Sequence, residues 1–127
     1  MLKLKFTDST LNKLSETKIV ITGANGFIGK NLRKFLNQQK IKFISISRQK
    51  YKPLKYETRR STQYFLKNKN SKLLNCTALV NLIGLGQQEN RSDLNDVNVE
   101  ITKKFLALSQ RSKIKKFVYI SGLGVSK

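Results

Sequence analysis

The residues best suited to chemistry lie together near the start of the chain, as Thr22-Gly23-Ala24-Asn25-Gly26-Phe27-Ile28-Gly29. At a strand-to-helix turn the first amides of the helix point outward with partial positive charge. A pyrophosphate can rest on them only where no side chain intervenes. In such a turn Gly23 allows the tight bend, Gly26 the approach of the phosphates, and Gly29 the close packing of helix on strand. The surroundings agree: Ile19-Val20-Ile21 precedes the glycines, and Ile28, Leu32, Phe35 and Leu36 follow at helical spacing. A nucleoside-triphosphatase loop is excluded, because it needs Gly-x-x-x-x-Gly-Lys followed by Ser or Thr. Here one residue too many separates Gly23 from Gly29-Lys30, and Asn31 stands where the magnesium-binding hydroxyl would be.

Other chemistries fall on composition. The chain has no histidine and only Cys76, so a disulfide, a His-Cys pair and a typical zinc site are ruled out; no metal is expected. Lys and Arg outnumber Asp and Glu by 26 to 7, giving a net charge of +19. That excess raises the question of a polyanion partner. The charge is spread singly and in pairs, as on a solvated surface, and no aromatic-basic interleaving of the RNA-binding kind occurs. Nucleic acid is therefore disfavoured. Between Lys18 and Tyr56 there is no acid at all, which favours an anionic ligand near this half. No run reaches the roughly 18 apolar residues of a membrane span, and Met1 to Phe6 lacks the apolar block of an export signal. A cytoplasmic location is expected.

The elements that must position the glycine turn follow from periodicity. With 127 residues the chain suits one domain and is short for a cofactor domain plus a substrate domain. Residues 1–17 form a lead-in, and 18–127 form the domain. After the first strand and its helix, Ile41 to Ile46 reads as a second strand. A third falls somewhere in 55–66, and a short helix near 69–74 leads into Ala78-Leu79-Val80-Asn81-Leu82-Ile83, a buried parallel strand ended by Gly84. Ser92 or Asp93 caps a helix whose face is Val97, Ile101, Phe105 and Leu108, running to about Arg111. Lys116 to Ile120 is the fifth strand. This order predicts an α/β fold: a Rossmann-like, doubly wound parallel sheet of about five strands with flanking helices, truncated after the fifth.

The Thr-Gly-x-x-Gly-x-x-Gly spacing resembles the extended and atypical short-chain dehydrogenase/reductase superfamily, which includes the NAD-dependent epimerase/dehydratases. The likeness covers roughly 18–127. It is supported by Ala78 to Gly84, similar to the family's fourth strand and cofactor-side turn, by Val97-Asn98-Val99-Glu100-Ile101-Thr102, similar to its Asn-bearing helix, and by Lys116 to Ser121, similar to its fifth strand. The resemblance implies NAD(P) as cofactor, held by Thr22, Gly23, Asn25, Gly26, Phe27, Ile28, Gly29, Arg48 and Gly84. NAD-preferring members place an acid about 20 residues past the glycines. Ser47 and Arg48 stand there, and a guanidinium clamps a 2′-phosphate, so NADP is favoured over NAD.

The family's catalytic set is incomplete in this chain. Asn98 carries over, Gly122 takes the place of the polarising hydroxyl with Ser121 beside it, and the Tyr-x-x-x-Lys pair would fall beyond Lys127. Asn98 and Ser121 are thus remnants. Tyr51-Lys52-Pro53-Leu54-Lys55 spells the pattern, but at the wrong strand end for a relay that needs its acid in reach of substrate. The expected function is the NAD(P)-binding part of an epimerase/dehydratase-like or atypical reductase, catalytically incomplete by itself. The competing reading is a nonenzymatic basic module on nucleic acid or an anionic membrane. An uncovered sheet edge at Phe117, Val118 and Ile120 further predicts a protein partner or oligomer there, or marginal stability.

Overall fold

The computed structural model describes residues 18–83 and 91–120, with the backbone alone for 91–98. The lead-in 1–17, Gly84, Ser121 and Gly122 lie outside the described residues. Five strands, β1 (Ile19–Thr22), β2 (Phe43–Ser47), β3 (Glu57–Ser61), β4 (Ala78–Asn81) and β5 (Lys116–Tyr119), form one sheet in the order β3-β2-β1-β4-β5. Every pairing is parallel. Among the described residues three helices connect them: α1 (Phe27–Gln38), α2 (Thr62–Lys67) and α3 (Arg91–Arg111). The expected doubly wound sheet is what the chain forms.

Both faces of the sheet are covered, which is why its three central strands are mostly apolar and their polar residues, Thr22, Ser45, Ser47 and Asn81, are buried with hydrogen-bond partners. Ile21 and Phe43 pack with Leu36 and Ile41 under α1, while Val20, Ile44, Ile46 and Leu79 pack with Phe65, Ile101, Phe105 and Leu108 under α2 and α3. Alternation along each strand sorts the side chains to the two faces. Among the described residues no helix is long and apolar enough to cross a membrane.

Three expectations need correction. The second strand begins at Phe43, not Ile41, because Ile41 belongs to the reversal that ends α1. Lys40 adopts φ +58° there, its amide donates to Asn37 O at 3.1 Å, and the Ile41 amide donates to Leu36 O at 2.9 Å. This is a left-handed helix stop with a lysine where glycine is usual. The short helix expected at 69–74 is instead α2, directly after β3. Asn68 stops it, donating from Nδ2 to Tyr64 O at 2.7 Å, and Ser71 Oγ then bonds Asn68 O, so local side-chain bonds replace a further helical turn. Finally α3 starts at Arg91, so Ser92 and Asp93 lie inside its first turn and not before it.

Candidate functional site

The glycine turn sits at the carboxyl end of β1, the central strand, where the chain swings into α1. Gly23 has φ +66°, and a Cβ there would lie 2.6 Å from the carbonyl carbon of Leu82. Backbone geometry and the close approach of the segment after β4 both demand glycine. A Cβ on Gly29 would lie 2.6 Å from Ala24 O, so the helix packs on the turn itself. Gly26 differs. It is exposed, its φ of −76° suits any residue, and among the described residues a Cβ there would meet only Gly23 O, at an ordinary 3.5 Å. Protein packing explains two of the glycines and leaves the third to the open face of the turn.

That face is the start of α1. Gly26 is the N-cap and offers no side-chain cap, and the first turn holds no acid. The Gly26 amide closes the turn on Gly23 O at 3.2 Å, and Lys30 makes the first helical bond, to Gly26 O at 2.8 Å. The intervening amides at Phe27, Ile28 and Gly29 belong to the helix's first turn, whose N–H groups have no intrahelical acceptor. A cradle a Cβ would fill, backed by a helix N-terminus, is what a phosphate group requires. Phe27 stands beside it, 84% exposed.

Thr22 contributes from below. It is fully buried, and its hydroxyl donates to Asn81 Oδ1 at 2.5 Å, while Asn81 Nδ2 reaches Thr102 Oγ1 at 3.4 Å. The Thr22 side chain therefore meets the cradle only through the backbone it holds. Asn81 ties the ends of β1 and β4 to α3. The sequence carried a signal for it, a carboxamide in an otherwise apolar strand, but periodicity alone assigned the segment to the core.

On the other side the turn meets the segment after β2. The Ala24 amide points to Ile46 O at 3.4 Å, and Asn25 Nδ2 donates to Gln49 Oε1. Ser47, the last residue of β2, donates from Oγ to Gln49 O at 2.7 Å, and Arg48 beside it is exposed. Arg59 on β3 donates from Nε to Gln49 O at 2.9 Å and from Nη2 to Ser47 O at 3.4 Å. No carboxylate borders this corner among the described residues from Lys18 to Ile83. The only one in that stretch, Glu57, is buried in an ion pair with Arg33.

That pair was not anticipated. Arg33 lies among the inward residues of α1 and donates to Glu57 from Nε at 2.6 Å and from Nη2 at 2.8 Å. Ser45 Oγ also donates to Glu57, and the Leu54 amide does so at 2.9 Å. Burial by itself would raise the Glu57 carboxyl, but the bonds from Arg33, Ser45 and Leu54 outweigh it and hold the group below the usual carboxylate range. Burial would likewise lower Arg33, yet Glu57 and Tyr51 keep its guanidinium above its ordinary value. Tyr51 lies with its ring 3.9 Å from the Arg33 guanidinium and its hydroxyl 2.9 Å from Ser45 Oγ and 3.2 Å from Glu57 Oε2. Its hydroxyl is thus bound to the buried ion pair. A lone acid in a cationic stretch, facing an arginine on an apolar helix stripe, was the available clue.

Of the two residues expected as catalytic remnants, Asn98 lies on α3 with its side chain undescribed, and Ser121, like Gly84, expected on the cofactor side, is outside the described residues. The other named positions converge: Thr22 to Gly29 form the turn, and Arg48 lies one residue past β2 beside it.

A glycine turn of this form at the carboxyl end of a central parallel strand defines a nucleotide-binding α/β domain. The NAD dependent epimerase/dehydratase family model matches residues 19–125, and the chain belongs to that family. Its fold is similar to uronate dehydrogenase from Agrobacterium tumefaciens, with a TM-score of 0.66 and 15% identity over 84% of this chain and 41% of that one. It is also similar to UDP-N-acetylglucosamine 4-epimerase from Bacillus cereus, at 0.64 and 22% over 87% and 40%. A third likeness is to dTDP-glucose 4,6-dehydratase from Bacillus anthracis in complex with NAD, at 0.56 and 19% over 87% and 41%. The chain thus spans about two-fifths of the length of these structures. No curated protein sequence matches it.

Proposed function

We propose that the chain binds NAD(P) at the glycine turn, as the cofactor-binding part of an epimerase/dehydratase-like or atypical reductase, and that it is catalytically incomplete by itself. The observation that carries this is Gly26, a glycine that no contact among the described residues requires, placed over the uncapped start of α1. Amides of Phe27, Ile28 and Gly29 would hold the pyrophosphate, Gly23 and Gly29 keep the turn compact, and Thr22 holds its base through Asn81. Asn25 borders the ribose end together with Arg48, and Gly84 would lie toward the nicotinamide. When bound, the cofactor accepts or donates a hydride at its nicotinamide ring.

NADP is the favoured form. Arg48 is exposed where a carboxylate would repel the 2′-phosphate, and a guanidinium gives such a phosphate charge-assisted bonds. Asn98 and Ser121 are remnants of a catalytic set whose acid is not Tyr51. A cytoplasmic setting belongs to the same reading, in keeping with a single cysteine that has no partner for a disulfide within the chain.

The test is titration of the purified chain with NADPH and NADH. Bound reduced nicotinamide should gain fluorescence, more readily with NADPH. No change up to millimolar concentrations of either would overturn the proposal.

A further inference from the structure

Burying an arginine and a carboxylate together adds little to stability in general, since desolvation offsets most of their attraction. The value of such a pair lies in the geometry it specifies. Here the Glu57 side chain is fully buried and takes donors from three separate places: Arg33 on α1, Ser45 on β2, and Leu54 and Tyr51 on the segment between β2 and β3. That last segment, 48–56, has no regular secondary structure of its own, and Glu57 fastens it at two points.

The same segment carries Arg48 and Gln49 to the glycine turn. Gln49 receives Arg59 and Ser47 on its carbonyl and Asn25 on its side chain. The guanidinium of Arg59 lies 5.5 Å from the ring of the same Tyr51. A continuous set of contacts therefore runs from Glu57 through Tyr51 and Arg59 to Gln49 and Asn25, ending beside Arg48.

We infer that Glu57, acting through Tyr51, is a positioning residue that fixes Arg48-Gln49 against the glycine turn and so sets the discrimination between a 2′-phosphorylated and an unphosphorylated dinucleotide. This rests on the dinucleotide reading given above. Neither residue touches the ligand. Their effect is to stop the segment from moving away when a phosphate pulls on Arg48, which keeps the backbone that carries the guanidinium in place.

Tyr51→Phe tests this with little disturbance, because it keeps the ring beneath Arg33 and removes only the hydroxyl. Affinities for NADPH and NADH are measured by nicotinamide fluorescence, with inorganic pyrophosphate as a competitor that needs the cradle alone. Tyr51→Phe should weaken NADPH about threefold to tenfold, the net worth of one hydrogen bond, while NADH changes by less than about twofold. Pyrophosphate competition should be unchanged. Glu57→Gln should shift the NADPH to NADH ratio further in the same direction, and if that variant fails to fold, Tyr51→Phe decides. A purely structural role would weaken both nucleotides equally. Equal weakening, or an unaltered ratio, overturns the inference while leaving the dinucleotide reading intact. Failure of the unaltered chain to bind either nucleotide or pyrophosphate overturns both.

Discussion

Gly26 separates binding from stability at a single residue. Serine is among the preferred N-cap residues, and its Oγ would accept from amides of the first turn. Gly26→Ser should therefore leave urea-induced unfolding unchanged or shift it upward by a few tenths of a kcal/mol, while weakening NADPH at least about tenfold, because the new hydroxyl occupies the anion's donors. Gly23→Ala behaves in the opposite way. Its positive φ and the 2.6 Å approach to Leu82 impose strain of about 1–3 kcal/mol, visible as a lower urea midpoint before any ligand is added. If Gly26→Ser binds NADPH normally, the open face is not the phosphate site. The carboxyl of Glu57 gives a further residue-scale test. Its native value is depressed, so its contribution is complete above the ordinary carboxylate range and is lost as pH falls through the depressed native value. Acidification below about pH 4 should steepen the loss of thermal stability, and Glu57→Gln should remove that component of the slope.

Among the elements, what could be read from sequence was what depends on local pattern. A β-branched run gave β1 and an apolar run gave β4, the helical spacing gave α1 and α3, and Gly23, Gly26 and Gly29 gave the turn between β1 and α1. What escaped depends on partners distant in sequence. Glu57 pairs with Arg33 across 24 residues, and Asn81 with Thr22 across 59, and no period within one segment encodes either contact. The stop of α1 was missed for a different reason. Lysine rarely takes a positive φ, so Lys40 gave no warning that Ile41 closes a helix instead of opening a strand. Thr22 and Asn81 also yield an element-scale prediction, since their bond joins β1 to β4 beneath the cradle. Thr22→Val leaves Asn81 Oδ1 buried without its donor and should cost about 1–3 kcal/mol in urea unfolding. NADPH affinity should also fall, because the backbone of the turn starts from that anchor. A stable Thr22→Val protein with full affinity would show the anchor to be dispensable.

For the whole molecule, two features of the described surface oppose each other. The β5 edge pairs only with β4 among the described residues, and Val118, Tyr119 and Ile120 are all exposed along it, an arrangement that invites a further strand. Against this stands the net charge of +19, which makes two copies repel. Repulsion between exposed charges is screened by salt, whose Debye length falls from about 30 Å at 0.01 M to about 3 Å at 1 M, whereas apolar contact is not screened. Association across this edge should accordingly be weak at low ionic strength and grow as sodium chloride is added. This is the reverse of what a complex held by ion pairs would do. Sedimentation velocity on the purified chain at about 0.02 M and about 0.5 M salt distinguishes the cases. Val118→Lys with Ile120→Lys should keep the chain monomeric at both concentrations, since each adds a charge to the edge while leaving the two core layers untouched. If the unaltered chain sediments as a monomer at both salt concentrations, the edge does not drive self-association. If it associates only at low salt, charge and not the apolar strand is holding the copies together.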